Sequence, residues 1–280
     1  MTTPVVPVST MGTAKPYITV AELKRNPIYN QLHKLVQGSS DADRDAELGR
    51  IILRVSAMIN AEVNQNLAAT VDNEVDQVIV NDRGNIKVHT RNDPIISVQS
   101  ISVGTDPYSL VPISDLTHLI INPWSFEVPR GAGFHYGRGA RLWAQWTYIN
   151  GFPVTTSTAV VEAGDTSITV ADTTGIIPNQ TLLTVEDGKW LEYFVPTAVT
   201  GNVLTVPALL YPHQAGVGVT ALPDDIKNAA LTLVSRLHDT WSLSMNAISM
   251  DGTGAKMPES KTTRAMCAPA WMLNPYKRRW

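Results

Sequence analysis

The hydrophobic positions of this chain follow a helical period, then a strand period, then a helical one again. Between 41 and 63, Leu48, Ile51, Ile52, Val55, Ile59 and Val63 recur three and four residues apart, the stripe of an amphipathic helix. Ser40 and Asp41 lead into it, and Asp43, Asp45 and Glu47 place negative charge toward its positive dipole end. A shorter helix is predicted to start at Thr19, whose T-x-x-E spacing to Glu22 is that of a capping box. Pro27 breaks it, and the pattern resumes through Leu32, Leu35 and Val36 to a stop at Gly38.

After about Thr70 the period falls to two. Val78 and Val80 alternate toward Ile86 and Val88 around "NDRG", where Gly84 can supply the positive φ of a hairpin turn. "IISVQSISV" (95–103) and "RLWAQWTYI" (141–149) are further strands, the second with Leu142, Ala144, Trp146 and Tyr148 on one face and Trp143 on the other. The intervening stretch 104–140, with "HLIINPW" and the glycine-rich "RGAGFHYGRG", reads as a long ordered excursion. From Val160, "TSITV", "TLLTV", "WLEYFV" and "NVLTV" are strands parted by "EAGD", "EDGK" and "VTGN" turns, the spacing of a small barrel or sandwich.

A helical stripe then returns in "LPDDIKNAALTLVSRL" (222–237). Pro223 suits a first helical position, and Asp224 and Asp225 complement the dipole. Ile226, Ala229, Ala230, Leu233, Val234 and Leu237 share one face. This helix has no helical neighbour in its own part of the sequence, so its stripe is expected to pack on the helices before residue 66. The expected fold class is therefore α+β, a small helical bundle with an antiparallel sheet, interrupted by an all-β domain. In boundaries, 1–18 is a Pro/Thr-rich arm, 19–151 with 221–250 the core, 152–220 the inserted β domain, and 251–280 an extended partner-binding tail.

Composition narrows the class. The 280 residues can bury a full core, with 44% hydrophobic and 17% charged side chains. No apolar run approaches the ~20 residues that cross a bilayer, and the first residues lack the charged-then-apolar order of a secretory signal. The single cysteine, Cys267, excludes an internal disulfide framework and points to a reducing compartment. The net charge of −3 conceals an asymmetry. Residues 152–220 carry six acidic side chains against Lys189, while 251–280 carry six basic ones against Asp251 and Glu259.

Taken in order, "YITVAELK", "AELGRIILRVSAMINAEVNQ", "NDPIISVQSISVG", "WTYINGF", "LPDDIKNAALTLVSRL" and "LNPYKRRW" resemble the head–tail connector (adaptor) proteins of long-tailed bacteriophages. In that family "YINGF" runs almost directly into "LPDDIK"; here 152–220 intervenes and resembles small β modules of phage structural proteins. The 104–140 excursion is a second departure. The resemblance implies a non-enzymatic virion component, assembled in the host cytoplasm as a homo-oligomeric ring, usually a dodecamer, beneath the portal protein. Such a ring extends the channel for passing double-stranded DNA, without sequence-specific binding and without a membrane, and recruits a downstream stopper or tail-completion protein. It also implies that the C-terminal tail grips the portal, through Trp271, Leu273, Tyr276, Lys277, Arg278, Arg279 and Trp280.

The chemistry-bearing residues add no competing centre. His33, His89, His118, His135, His213 and His238 show no metal-ligand spacing, so no metal or cofactor is expected. Cys267 has no neighbouring base. "GAGFHYGRG" lacks the GK[ST] ending and following helix of a phosphate loop. The aromatic and basic "YKRRW" end could also touch nucleic acid. Two other functions stay open: a tail or baseplate subunit whose β module binds a glycan near Trp190 or Tyr193, and an enzyme, which would need convergent polar groups in a cleft.

Overall fold

The computed structural model describes residues 15–27, 40–132, 134–187, 189–251 and 270–278, with 238–251 described as helix backbone. The expected resumption of helix at Leu32, Leu35 and Val36 lies outside these residues, as do the arm 1–14 and most of the tail. The fold is α+β, with every named strand pair antiparallel. The chain forms two compact units, one built on Asn66–Phe152 and the other on Ala14–Gln65 with Pro153–Trp280. This grouping differs from the expected union of 19–151 with 221–250. The strands of 66–152 stand as their own unit, and the helices share theirs with 153–220.

In the first unit, β1 (Thr70–Ile79), β7 (Arg141–Asn150), β3 (Ile95–Gly104) and β4 (Val111–Pro112) form one sheet in that order. β2 (Ile86–His89), β6 (Ser125–Val128) and β5 (Ile120–Asn122) form another. Strand β7 buries every second residue, Leu142, Ala144, Trp146 and Tyr148 among them, as its alternation requires. Phe126 of β6 meets Trp146 of β7 edge to face, ring centroids 6.3 Å apart, so the two sheets share one core. The 104–140 excursion contributes β4, β5 and β6 to this arrangement. The unit's two ends are bonded together: Phe152 N–H donates to Leu67 O and Ala69 N–H to Phe152 O, both at 2.7 Å. Gly151 sits at this junction with φ +84°, and a Cβ there would lie 2.8 Å from the carbonyl oxygens of Leu67 and Ala68.

A buried polar network crosses β1 and β7. Asp72 accepts from Asn92 Nδ2 (2.6 Å) and Asn150 Nδ2 (2.8 Å), and the Tyr148 hydroxyl donates to Glu74, which also accepts from Arg91 N–H. Burial raises the Glu74 pKa above its ordinary value, the hydrogen bonds from Tyr148 and Arg91 opposing it less strongly. Burial, with the Glu74 charge beside it, pushes the Tyr148 phenol up as well.

The second unit opens with α1 (Val20–Arg25), closed at its start by the capping box. Glu22 N–H donates to Thr19 Oγ1 at 3.1 Å and Thr19 N–H returns to the Glu22 carboxylate. Helix α2 (Asp41–Val63) is capped by the Ser40 hydroxyl and buries the predicted stripe. It ends at Asn64 in the left-handed region, φ 58°. The β module has sheets β11 (Leu191–Phe194), β10 (Leu183–Glu186), β14 (Gly218–Thr220), β8 (Val154–Thr156) and β12 (Ala198–Thr200), β13 (Val203–Thr205), β9 (Ser167–Thr169), around a core including Ile168, Leu183, Val185, Leu204 and Val219.

Helix α3 (Asp224–Asp251) starts one residue after Pro223 and buries Ile226, Ala229, Ala230, Leu233 and Val234. It packs on α2, as its stripe requires. Its Lys227 is also buried, with Nζ 3.1 Å from both Glu22 Oε1 of α1 and Glu186 Oε2 of β10. Burial alone would lower the Lys227 pKa; the two carboxylates together reverse that and hold it above its ordinary value.

Two outcomes test these networks. Lys227→Met leaves Glu22 and Glu186 facing each other, and urea unfolding should show a loss of about 3 kcal/mol, partly recovered in Glu22→Gln/Lys227→Met. Because the folded pKa of Glu74 lies above 4.5, its stabilising contribution is complete below that pH and is lost as pH rises through the folded value. Glu74→Gln removes this loss, so its unfolding midpoint should gain on the wild type between pH 4 and pH 8. A parallel pH dependence in both proteins would refute the assignment.

Candidate functional site

The C-terminal segment carries the residues that the family resemblance marks for partner binding. Its described part is α4 (Ala270–Leu273) followed by a 3₁₀ turn over Asn274–Tyr276, and it packs against both α2 and α3. The local chemistry suits a short, abrupt element, because Pro275 cannot donate to a continuing α-helix and sits within the turn. Leu273 is the apolar anchor, 1% exposed.

The remaining bonds gather at the C-terminal end of α2. Gln65 Nε2 donates to Tyr276 O at 2.9 Å, and Lys277 Nζ pairs with Glu62 Oε1. Arg278 N–H donates to Val63 O at 3.2 Å, satisfying a carbonyl that the helix itself leaves open. Burial, aided by the Asp225 charge at the start of α3, raises the Tyr276 pKa. Leu273, Tyr276, Lys277 and Arg278 are thus brought together on the chain's own helices. Trp271 is separated from them by its direction and is 67% exposed. Arg279 and Trp280 lie outside the described residues.

The other candidate residues are placed differently. His213 is fully buried in the β module, its Nε2 3.1 Å from Glu192 Oε1 and its Nδ1 3.6 Å from Asp187 Oδ2. Glu192 also accepts from Leu210 and Tyr211 N–H, and Asp187 from Lys189 and Trp190 N–H, each at 2.8 Å. The cluster ties two loops together and sets Trp190 flat on Tyr211, centroids 4.1 Å apart. Scattered histidines in the sequence concealed it, because its carboxylates come from β11 and from the β10–β11 turn. Tyr193, outward on β11, is 58% exposed. His33, His238 and Cys267 have no described side chains. Among the described residues no group of three or more His, Cys, Asp and Glu side chains could hold a metal ion, and no helix is long and apolar enough to cross a membrane.

No family profile matches this chain, and no curated protein matches it. Among solved structures, it aligns with a chain of the neck of an empty GTA particle computed with C6 symmetry. The alignment covers 94% of each chain at 11% identity and a TM-score of 0.37.

The docking of the segment is open to a direct check. Leu273→Ala should cost about 2–3 kcal/mol at this contact and raise hydrogen exchange at residues 270–278 and at the end of α2. Unchanged protection there would mean that Leu273 does not hold the segment.

Proposed function

We propose that this protein is a structural subunit of a ring-shaped adaptor between portal and tail, acting in head–tail joining, with no catalytic step. One observation carries the reading. The segments that resemble the connector family, scattered along the sequence, supply α1, α2, β3, β7, α3 and the C-terminal segment, with α3 paired on α2 and the C-terminal segment seated across both. A ring subunit needs heterologous lateral surfaces that close by rotation, and an anchored segment with an exposed aromatic suits contact with a different partner.

In this reading the ring is dodecameric, the passing duplex is not read for sequence, and a downstream completion protein binds the face away from the portal. The virion is its place of action. The β module gives a second reading some support, since Tyr193 is exposed beside Leu191, itself 47% exposed, in the manner of a glycan platform. Sugar binding by the full chain that Tyr193→Ala abolishes would favour that role.

The adaptor reading is tested at Trp271. Because the side chain is exposed, Trp271→Ala should unfold at the wild-type midpoint yet associate with purified portal at least tenfold more weakly, judged by co-sedimentation. Undiminished association would remove Trp271 from the interface. If deletion of 270–280 also left association intact, the portal-gripping tail would be overturned.

A further inference from the structure

We infer that one end of the Asn66–Phe152 unit is a contact surface for the phosphate backbone of duplex DNA, built from Arg83, Arg130, Arg138 and Arg141. The β1–β2 turn carries Arg83. Its base is closed by hydrogen bonds between Asn81 and Asn85, and Gly84 turns it at φ +81°. Arg130 folds over that turn, its N–H donating to Asn85 Oδ1 at 3.1 Å and its side chain lying against Gly84. Residues 139 and 140 return to the same place, Gly139 N–H donating to Val80 O (2.9 Å) and Val80 N–H to Ala140 O (3.0 Å). Arg141 stands opposite Ile79 in the β1–β7 register. Four guanidinium groups from three stretches of sequence are thereby held at one end of one unit.

All four arginines are exposed, and none forms an ion pair among the described residues. Asp82 is exposed beside Arg83 in the turn, and Glu127 accepts from Asn85 Nδ2 at 3.4 Å and stands opposite Lys87. An unneutralised positive cluster in a chain of net charge −3 departs from the balance of the whole. Arginine rather than lysine throughout favours planar, bidentate recognition of phosphate. Gly137 and Gly139 flank Arg138, and a Cβ on either would meet nothing within 4 Å, so a ligand can approach the backbone there. Buried Phe134, stacked on Tyr136 with centroids 6.5 Å apart, anchors this stretch to the core. The proposed contact is to phosphate oxygens, which carry no sequence information. Trp124, the exposed aromatic of the β5–β6 hairpin, lies at the opposite end of β6 from Arg130.

This deepens the adaptor reading by naming where the chain would meet passing DNA, and it rests on that reading only for the source of the duplex. The test uses the full chain alone, so it fails or succeeds separately from portal association. Fluorescence anisotropy with two 30-bp duplexes of unrelated sequence should give equal affinities that fall about 100-fold between 50 and 200 mM NaCl, from counterion release at about four phosphates. Arg83→Gln/Arg138→Gln/Arg141→Gln should bind at least tenfold more weakly at 50 mM, with a slope of log affinity against log salt shallower by about 3. Arg138→Gln alone should flatten that slope by about 1, and Arg83→Lys/Arg138→Lys/Arg141→Lys should restore it. An unchanged affinity and slope in the glutamine variants, or loss only in Arg278→Gln/Arg279→Gln, would overturn the assignment. So would wild-type binding to polyglutamate or to phosphatidylserine vesicles in preference to duplex.

Discussion

Lys227 is the point on which the helix-containing unit turns. It is buried at the margin of the apolar stripe of α3 yet is charged, and it reaches one carboxylate on α1 and another on β10 at the same distance. A buried cation of this kind is tolerable only when its partners are in place, so the position of each element constrains the other two. Glu22 is constrained further, because one of its oxygens takes the Thr19 N–H that opens α1 and the other takes Lys227. Helix capping and long-range assembly therefore share one side chain. This explains why the β module groups with the helices and does not stand apart from them.

The C-terminal segment repeats that economy at the other end of the helices. Its apolar anchor, its turn and its Lys277–Glu62 pair settle on α2, and Arg278 completes the hydrogen bonding of the helix end. Most residues that a partner might have used are already occupied within the chain. Among the described tail residues, Trp271 stays exposed, on a segment held by the contacts beneath it. In the proposed adaptor, gripping would thus depend on the same packing that finishes α2.

Much of this was legible in the sequence, and the reasons for the exceptions are physical. The stripes of α2 and α3 and the alternation of β7 are long enough for periodicity to speak, and the T-x-x-E spacing placed α1 within a residue. β9, β10, β11 and β13 coincide with the predicted strands. By contrast β8, β14 and β6 bury neighbouring residues and β12 buries none, so they lack the in-and-out alternation that marks the equally short β9, β10, β11 and β13. Lys227 reads locally as a surface residue, since its burial depends on Glu186, far along the chain. The His213 cluster was hidden for the same reason. Nor can a hydrophobic pattern say which layer a strand joins, so it did not locate the unit boundaries at 65/66 and 152/153.

The paired bonds between Leu67, Ala69 and Phe152 carry an evolutionary consequence. A stretch of 87 residues, Asn66–Phe152, departs from the polypeptide and rejoins it through one stitched seam. The excursion 104–140 inside it can lengthen or shrink without disturbing the stitch, Gly151 or the two ends from which α2 and β8 continue.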